Sequence, residues 1–188
     1  MTDSKQKSMS RTFITYVEDR PGVLNRVVSL FRRRGYNIES LTVGRTARPE
    51  VSRITLVVEA DADMARRIEA NLYKLVNVLY VEDVTASAAI VREMALIKVH
   101  APNGKRAEVL QLCEVFRARA VDVAPDTLCL EITGTQDKID GLIDVLRPFG
   151  IVEMVRTGAV AMVRGAGEAA RPAPDRALRL TDSGTIAA

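Results

Sequence analysis

The sequence predicts an α+β chain made of two consecutive βαββαβ units, each an antiparallel sheet with its helices on one face. Three observations predict it. Short strand-like runs alternate with stretches of apolar helical periodicity, the order strand, helix, strand, strand, helix, strand occurs twice, and the second pass repeats the layout of the first without its letters. In that order the two split crossovers are right-handed and set both helices on the same side of the sheet.

The first unit opens with the apolar strand Phe13 to Val17, which the Pro21-Gly22 pair turns into a helix. Leu24, Val27, Val28 and Phe31 form the apolar stripe of this helix, widened by Val23 and Leu30, with Arg26, Arg32 and Arg33 toward water. Gly35 reads as its C-cap. Strands over Leu41 to Gly44 and Arg53 to Glu59 follow, joined around Arg48 and Pro49. A second helix carries Ala65, Ile68, Leu72, Leu75 and Val76 on one side, before the short strand Val78 to Val81.

The second unit begins with the strand Met94 to Val99 and a turn at Ala101-Pro102-Asn103-Gly104. Its first helix is striped by Val109, Leu112, Cys113 and Phe116. Strands Ala120 to Val123 and Leu128 to Thr133 flank the tight turn Pro125-Asp126, and Thr135 is placed to cap a helix carrying Ile139, Leu142, Ile143 and Leu146. Pro148 and Gly150 end that helix, and an extended segment from Ile151 runs toward Val163. The expected divisions are a flexible N-terminus over 1–10, a first domain over 11–84, a linker over 85–91, a second domain over 92–164 and a disordered tail over 165–188. Alanine and serine replace strand formers near the linker, and the tail is rich in Ala, Gly, Pro and Arg.

Composition narrows the function. With 27 basic and 24 acidic residues spread along the chain, the net charge of +3 is a slight excess rather than a patch, and nucleic acid is not indicated. Cys113 and Cys129 lack metal-ligand or redox spacing and sit among apolar neighbours, as expected of core fillers in a reducing compartment. The polar start lacks the apolar run of a secretory signal, and no later run reaches the ~20 residues of a membrane helix. The expected location is the cytoplasm.

Catalysis needs converging acid, base, nucleophile or metal groups, and the single histidine, His100, ends a strand with no such cluster. No phosphate-binding loop accompanies Gly35, and Arg32, Arg33 and Arg34 suit the C-terminal end of a helix dipole. The turn from Asp19 to Leu24 differs. Backbone N–H groups at Gly22, Val23 and Leu24 can take a carboxylate, and the Asp19 carboxylate can take an ammonium group. Asn37 can donate to the first and accept from the second, while Val23 and Ile38 suit a small aliphatic side chain. A purely structural Pro-Gly turn is the competing reading.

Glu18 to Val28, continued by Arg34-Gly35-Tyr36-Asn37-Ile38-Glu39-Ser40-Leu41-Thr42-Val43, closely resembles the ACT domain of the regulatory small subunit of acetolactate synthase, also called acetohydroxyacid synthase. The likeness extends through Leu72 to Leu79 and Arg92 to Val99. It implies two ferredoxin-like domains and a chain that does no chemistry. Such a chain binds the thiamine-diphosphate-dependent catalytic subunit, raises its activity and confers feedback inhibition by valine, or a related branched-chain amino acid, in valine, leucine and isoleucine biosynthesis. Thiamine diphosphate, FAD and magnesium belong to that partner by the same resemblance, and none to this chain. ACT domains of the family pair side by side in a homodimer. By position, Asp19, Arg20, Pro21, Gly22, Val23 and Leu24 of one chain and Asn37, Ile38 and Glu39 of the other inherit the effector site. Some family members carry asparagine where this chain has Asp19. The alternative is an ACT-type sensor serving a different enzyme or a transcription factor, although no helix reads as DNA-binding.

Overall fold

The computed structural model describes residues 8–165, so the expected flexible start up to residue 7 and the tail from 166 lie outside the described residues. The chain divides into two compact units, one of residues 8–90 with 161–165 and one of Val91–Val160.

The first unit runs β1 (Met9–Glu18), α1 (Val23–Arg34), β2 (Ile38–Arg45), β3 (Val51–Ala60), α2 (Ala62–Leu72) and β4 (Val78–Asp83). Its sheet has the order β2-β3-β1-β4, antiparallel throughout, as the split crossovers require. Phe13, Val17, Ile54, Leu56 and Val58 meet Val27, Phe31, Ile68 and Leu72 of the two helices in one core. Met9 and Ser10, expected in the flexible start, belong to β1 because they pair with Ala60 and Glu59.

Helix α1 begins at Gly22 and ends at Gly35, both left-handed at φ 83° and 68°, where glycine carries no Cβ penalty. The Gly35 N–H donates to Arg32 O and the Tyr36 N–H to Phe31 O, which satisfies carbonyls the last turn leaves open. Its buried face is Val23, Val27, Leu30 and Phe31, whereas Leu24 and Val28 are each 40% exposed. The stripe is therefore rotated from the expected one, centred on Val23, Val27, Leu30 and Phe31 with Leu24 and Val28 at its margin. Helix α2 starts at Asp61, whose carboxylate accepts the Met64 N–H at 2.7 Å. It stops at Leu72, so Leu75 and Val76 lie beyond it. The Tyr73 hydroxyl closes that loop by bonding both N–H and C=O of Val81 at 3.1 Å.

The second unit runs β5 (Ala89–His100, whose first two residues fall in the first unit), α3 (Arg106–Phe116), β6 (Arg119–Val123), β7 (Thr127–Gly134), α4 (Gln136–Leu146), a 3-10 turn (Arg147–Phe149) and β8 (Ile151–Arg156), with sheet order β6-β7-β5-β8. Ile97, Val99, Leu128, Leu130 and Ile132 pack on Val109, Cys113, Ile139, Leu142 and Leu146. Burial pushes the Cys113 thiol up, in keeping with a packing role. Thr135 holds the N-cap position in extended backbone, but its hydroxyl makes no capping bond.

Two expectations about connections change. Residues 85–91 are not wholly a linker: Ile90 and Val91 are strand formers, and β5 already begins at Ala89. The last extended segment breaks after Arg156, where Gly158 adopts φ 80°, before β9 (Val160–Val163) resumes. Residues 161–165 then belong to the first unit, where the Arg53 guanidinium donates to Ala161 O and the Arg164 N–H to Ala88 O. Among the described residues no helix is long and apolar enough to cross a membrane.

Candidate functional site

The turn between β1 and α1 is built from backbone hydrogen bonds that fix its ends and leave its tip open. Asp19 N–H donates to Glu50 O at 2.8 Å, Arg20 N–H to Glu18 O at 3.0 Å, and Arg26 N–H to Gly22 O at 3.1 Å. The Val23 N–H donates to Arg20 O at 3.3 Å. This corrects the sequence reading, which counted that group as free for a ligand. Among the described residues the N–H groups of Gly22, Leu24 and Asn25 have no hydrogen-bond partner, and α1 has neither a capping side chain nor an acidic residue in its first turn. Unpaired amides at the positive end of the helix dipole, with no acid in the helix's own first turn, can bind an anion.

The side chains around the tip are mostly solvated. Arg20, Pro21, Gly22 and Leu24 are exposed. The Asp19 carboxylate is 38% exposed and lies 3.9 Å from Arg45 Nε at the end of β2. Val23, expected to touch an aliphatic ligand, is only 4% exposed and belongs to the core. Leu24 and Val28 are the apolar side chains of α1 left open near this end.

Asn37 is exposed and immediately precedes β2, Ile38 packs partly against the core, and Glu39 accepts a 3.3 Å hydrogen bond from Ser10 Oγ. A register shift between Ile38 and Ser40 makes Glu39 a bulge residue. Within one chain these three residues do not join the turn. Glu18 lies opposite Val51 and Ile38 opposite Val58, so seven residues of β3, about 24 Å at the usual strand rise, separate the two places.

The structure adds residues that sequence reasoning missed. Glu50 anchors Asp19, Arg45 faces it, and Asn77 contacts both Glu18 and Arg26. Only tertiary contact reveals Asn77, since it lies 59 residues from Glu18. No group of three or more His, Cys, Asp or Glu side chains suited to a metal is found among the described residues. His100 is exposed, and its N–H donates to Gly150 O at 3.0 Å.

Comparison with known proteins matches both units. Residues 13–80 match the AHAS small subunit-like ACT domain family, and residues 92–165 match the family described as the small subunit of acetolactate synthase. The probable acetolactate synthase small subunit of Archaeoglobus fulgidus is 50% identical over 157 residues, covering 84% of this chain and 98% of that one. The acetolactate synthase small subunit of Mycobacterium leprae is 46% identical over 156 residues, covering 83% and 92%. The crystal structure of the acetolactate synthase small subunit from Thermotoga maritima superposes with a TM-score of 0.77 at 38% identity, covering 84% of this chain and 98% of that one. The chain belongs to the acetolactate synthase small-subunit family, carries that family's ACT domain, and is a regulatory rather than a catalytic member of an enzyme complex.

Proposed function

We propose that this subunit raises the activity of the thiamine-diphosphate-dependent catalytic subunit and makes it answer to valine or a related branched-chain amino acid. The observation that carries the reading is the open tip of the β1–α1 turn, with the N–H groups of Gly22, Leu24 and Asn25 unpaired at the start of a helix whose first turn holds no acid. An amino acid carboxylate suits those amides, its ammonium suits Asp19, and a short branched side chain suits Leu24 and Val28.

The second half of the site comes from another copy of the chain. Strand β2 is an edge of its sheet, with Arg45 close to Asp19 at one end and Asn37 to Glu39 at the other. Antiparallel pairing of two such edges about a two-fold axis sets the start of one β2 against the end of the other. Asn37 of one protomer then faces the turn of its partner, which the single chain cannot achieve. An effector held there favours one arrangement of the dimer and so alters how the subunit engages the catalytic chain, with each ligand affecting the other's binding equally. A tenfold change corresponds to ~1.4 kcal/mol, within reach of a few hydrogen bonds and one buried isopropyl group. Discrimination among valine, leucine and isoleucine is weaker, since one methylene is worth about 1–3 kcal/mol.

Reconstitution tests this. The isolated chain makes no acetolactate from pyruvate with thiamine diphosphate and magnesium, the catalytic subunit gains activity when it is added, and valine reduces that gain. Activation without any response to branched-chain amino acids would remove the effector from the reading.

A further inference from the structure

Beside the open turn lies a polar clamp of three side chains, in which Glu18 and Asn77 are half-buried and Arg26 is exposed. Asn77, one residue before β4, accepts the Glu18 N–H on its backbone carbonyl at 3.0 Å. Its side-chain Nδ2 donates to Glu18 Oε2 at 2.7 Å, and its Oδ1 accepts from the Arg26 guanidinium. The Glu18 side chain is only 14% exposed and also lies 3.5 Å from Arg20 Nε. Glu18 enters the turn and Arg26 lies in the helix that leaves it, so one residue holds both ends of the segment that carries Gly22, Leu24 and Asn25.

The chemistry of the three groups selects a carboxamide. A carboxylate needs a donor and a guanidinium needs an acceptor, and a single amide supplies both, which also fixes which way the amide points. Aspartate at this place would set one carboxylate against another. Leucine would leave Glu18, a mostly buried charge, without its strongest partner.

We propose that Asn77 is a positioning residue for the effector turn, holding Glu18 and Arg26 so that the N–H groups of Gly22, Leu24 and Asn25 form a prearranged set of donors. The proposal rests on the reading that this turn takes the amino acid. It adds a residue outside the expected effector-binding set, acting through Glu18 and Arg26.

The test exploits the polarity of the amide. Calorimetry of the full chain with L-valine should show Asn77→Asp weakening binding about tenfold, the loss of one charge-assisted hydrogen bond. Adding Glu18→Gln to that variant should restore binding to within about threefold, because the new carboxamide donates to the new carboxylate while Arg26 keeps an acceptor. Damage of a general kind would not be repaired by a second substitution. In parallel, amide hydrogen exchange of the ligand-free protein should show Arg20, Val23 and Arg26 losing protection in Asn77→Asp and regaining it in the double variant. Unchanged exchange and affinity in Asn77→Asp, or a double variant no better than the single one, overturns the proposal. A wild-type chain that takes no valine, with the exchange pattern as expected, instead sinks the effector reading and leaves the clamp standing.

Discussion

The two units share a topology but differ at the turn that enters their first helix. Ahead of α1, Gly22 is left-handed, no side chain caps the helix, and its first turn holds no acid. Ahead of α3, Gly104 has φ 105° and the turn closes on itself, with Lys105 N–H donating to Pro102 O at 3.0 Å. Glu108 occupies the first turn of α3, and Arg106 reaches the carbonyls of Ala124 and Pro125 at 2.6 and 2.7 Å. A carboxylate from the chain itself therefore already answers the dipole of α3, while the dipole of α1 is left for an external anion. One fold used twice yields one candidate anion site, and the difference lies in a few side chains rather than in architecture.

The largest expected effect breaks that comparison directly. Gly22→Asp should abolish valine inhibition of the reconstituted complex, raising the half-inhibitory concentration at least ~tenfold, with activation retained. The added carboxylate competes for the amides and repels the ligand. No atom lies within 4 Å of a Cβ built there, so the fold cost is that of a left-handed backbone, about 1 kcal/mol. Gly104→Asp is the matched control: it carries similar strain in open space, and inhibition should not move. Equal loss from both would show that loosening of the chain, rather than the α1 turn, controls the response.

A second comparison concerns ion pairs at matching places. In the second unit Arg156 on β8 donates to both carboxylate oxygens of Glu93 on β5 at 2.9 and 2.7 Å, and to Asp140 on α4 at 2.6 Å. These carboxylates hold the Arg156 guanidinium well above its ordinary range. In the first unit the cation is on the other strand: Arg11 on β1 pairs with Asp83 on β4 at 3.0 Å. Arg156→Met should cost about 2 kcal/mol in urea unfolding, because Glu93 is 12% exposed and loses its partner. Arg11→Met should cost less, since Asp83 keeps the N–H of Thr85 at 3.0 Å and its hydroxyl. The reverse order would mean that burial does not rank these pairs.

How much of this was legible in the sequence follows the range of each interaction. Helix stripes, glycine caps and strand order are local, and Val27, Phe31, Ile139 and Leu142 fall in the cores where periodicity placed them. The rotation that exposes Leu24 and Val28 was not legible, because six apolar residues span more of α1 than the sheet covers and periodicity alone does not say which of them lie at the margin. The return of residues 161–165 to the first unit was not legible either, since strand propensity names no partner. At the site, the turn could be read from Pro21-Gly22, whereas Glu50, Arg45 and Asn77 reach it only through the folded sheet.

A smaller effect is expected at Asp19. Its pair with Arg45 spans 3.9 Å with the arginine 88% exposed, so Asp19→Asn should leave thermal stability nearly unchanged. Valine affinity should fall about threefold, the worth of one solvated charge contact with the ammonium group, as calorimetry would show. Tighter binding in the variant would mean that Arg45, not the effector, is the main partner of this carboxylate.

The smallest effect separates the two ion clusters by sign. Glu69 on α2 has its carboxyl pushed up, first by burial and then by the neighbouring charge of Asp83. The native state therefore holds that proton to higher pH than the unfolded chain does. Where the two differ the unfolded state binds fewer protons, so stability falls as pH rises through the ordinary carboxylate range toward the raised native value. Glu69→Gln stays neutral and avoids that fall. Thermal unfolding should show the variant slightly more stable than the wild type at pH 7 and no different in acid below the ordinary carboxylate range. On the second helix of the other unit, Asp140→Asn removes a partner of Arg156 and should act in the opposite direction at pH 7. Glu69 on α2 faces the acid Asp83 of β4 whereas Asp140 on α4 faces the base Arg156 of β8, so neutralising each must move stability in opposite senses if the clusters are ordered as described.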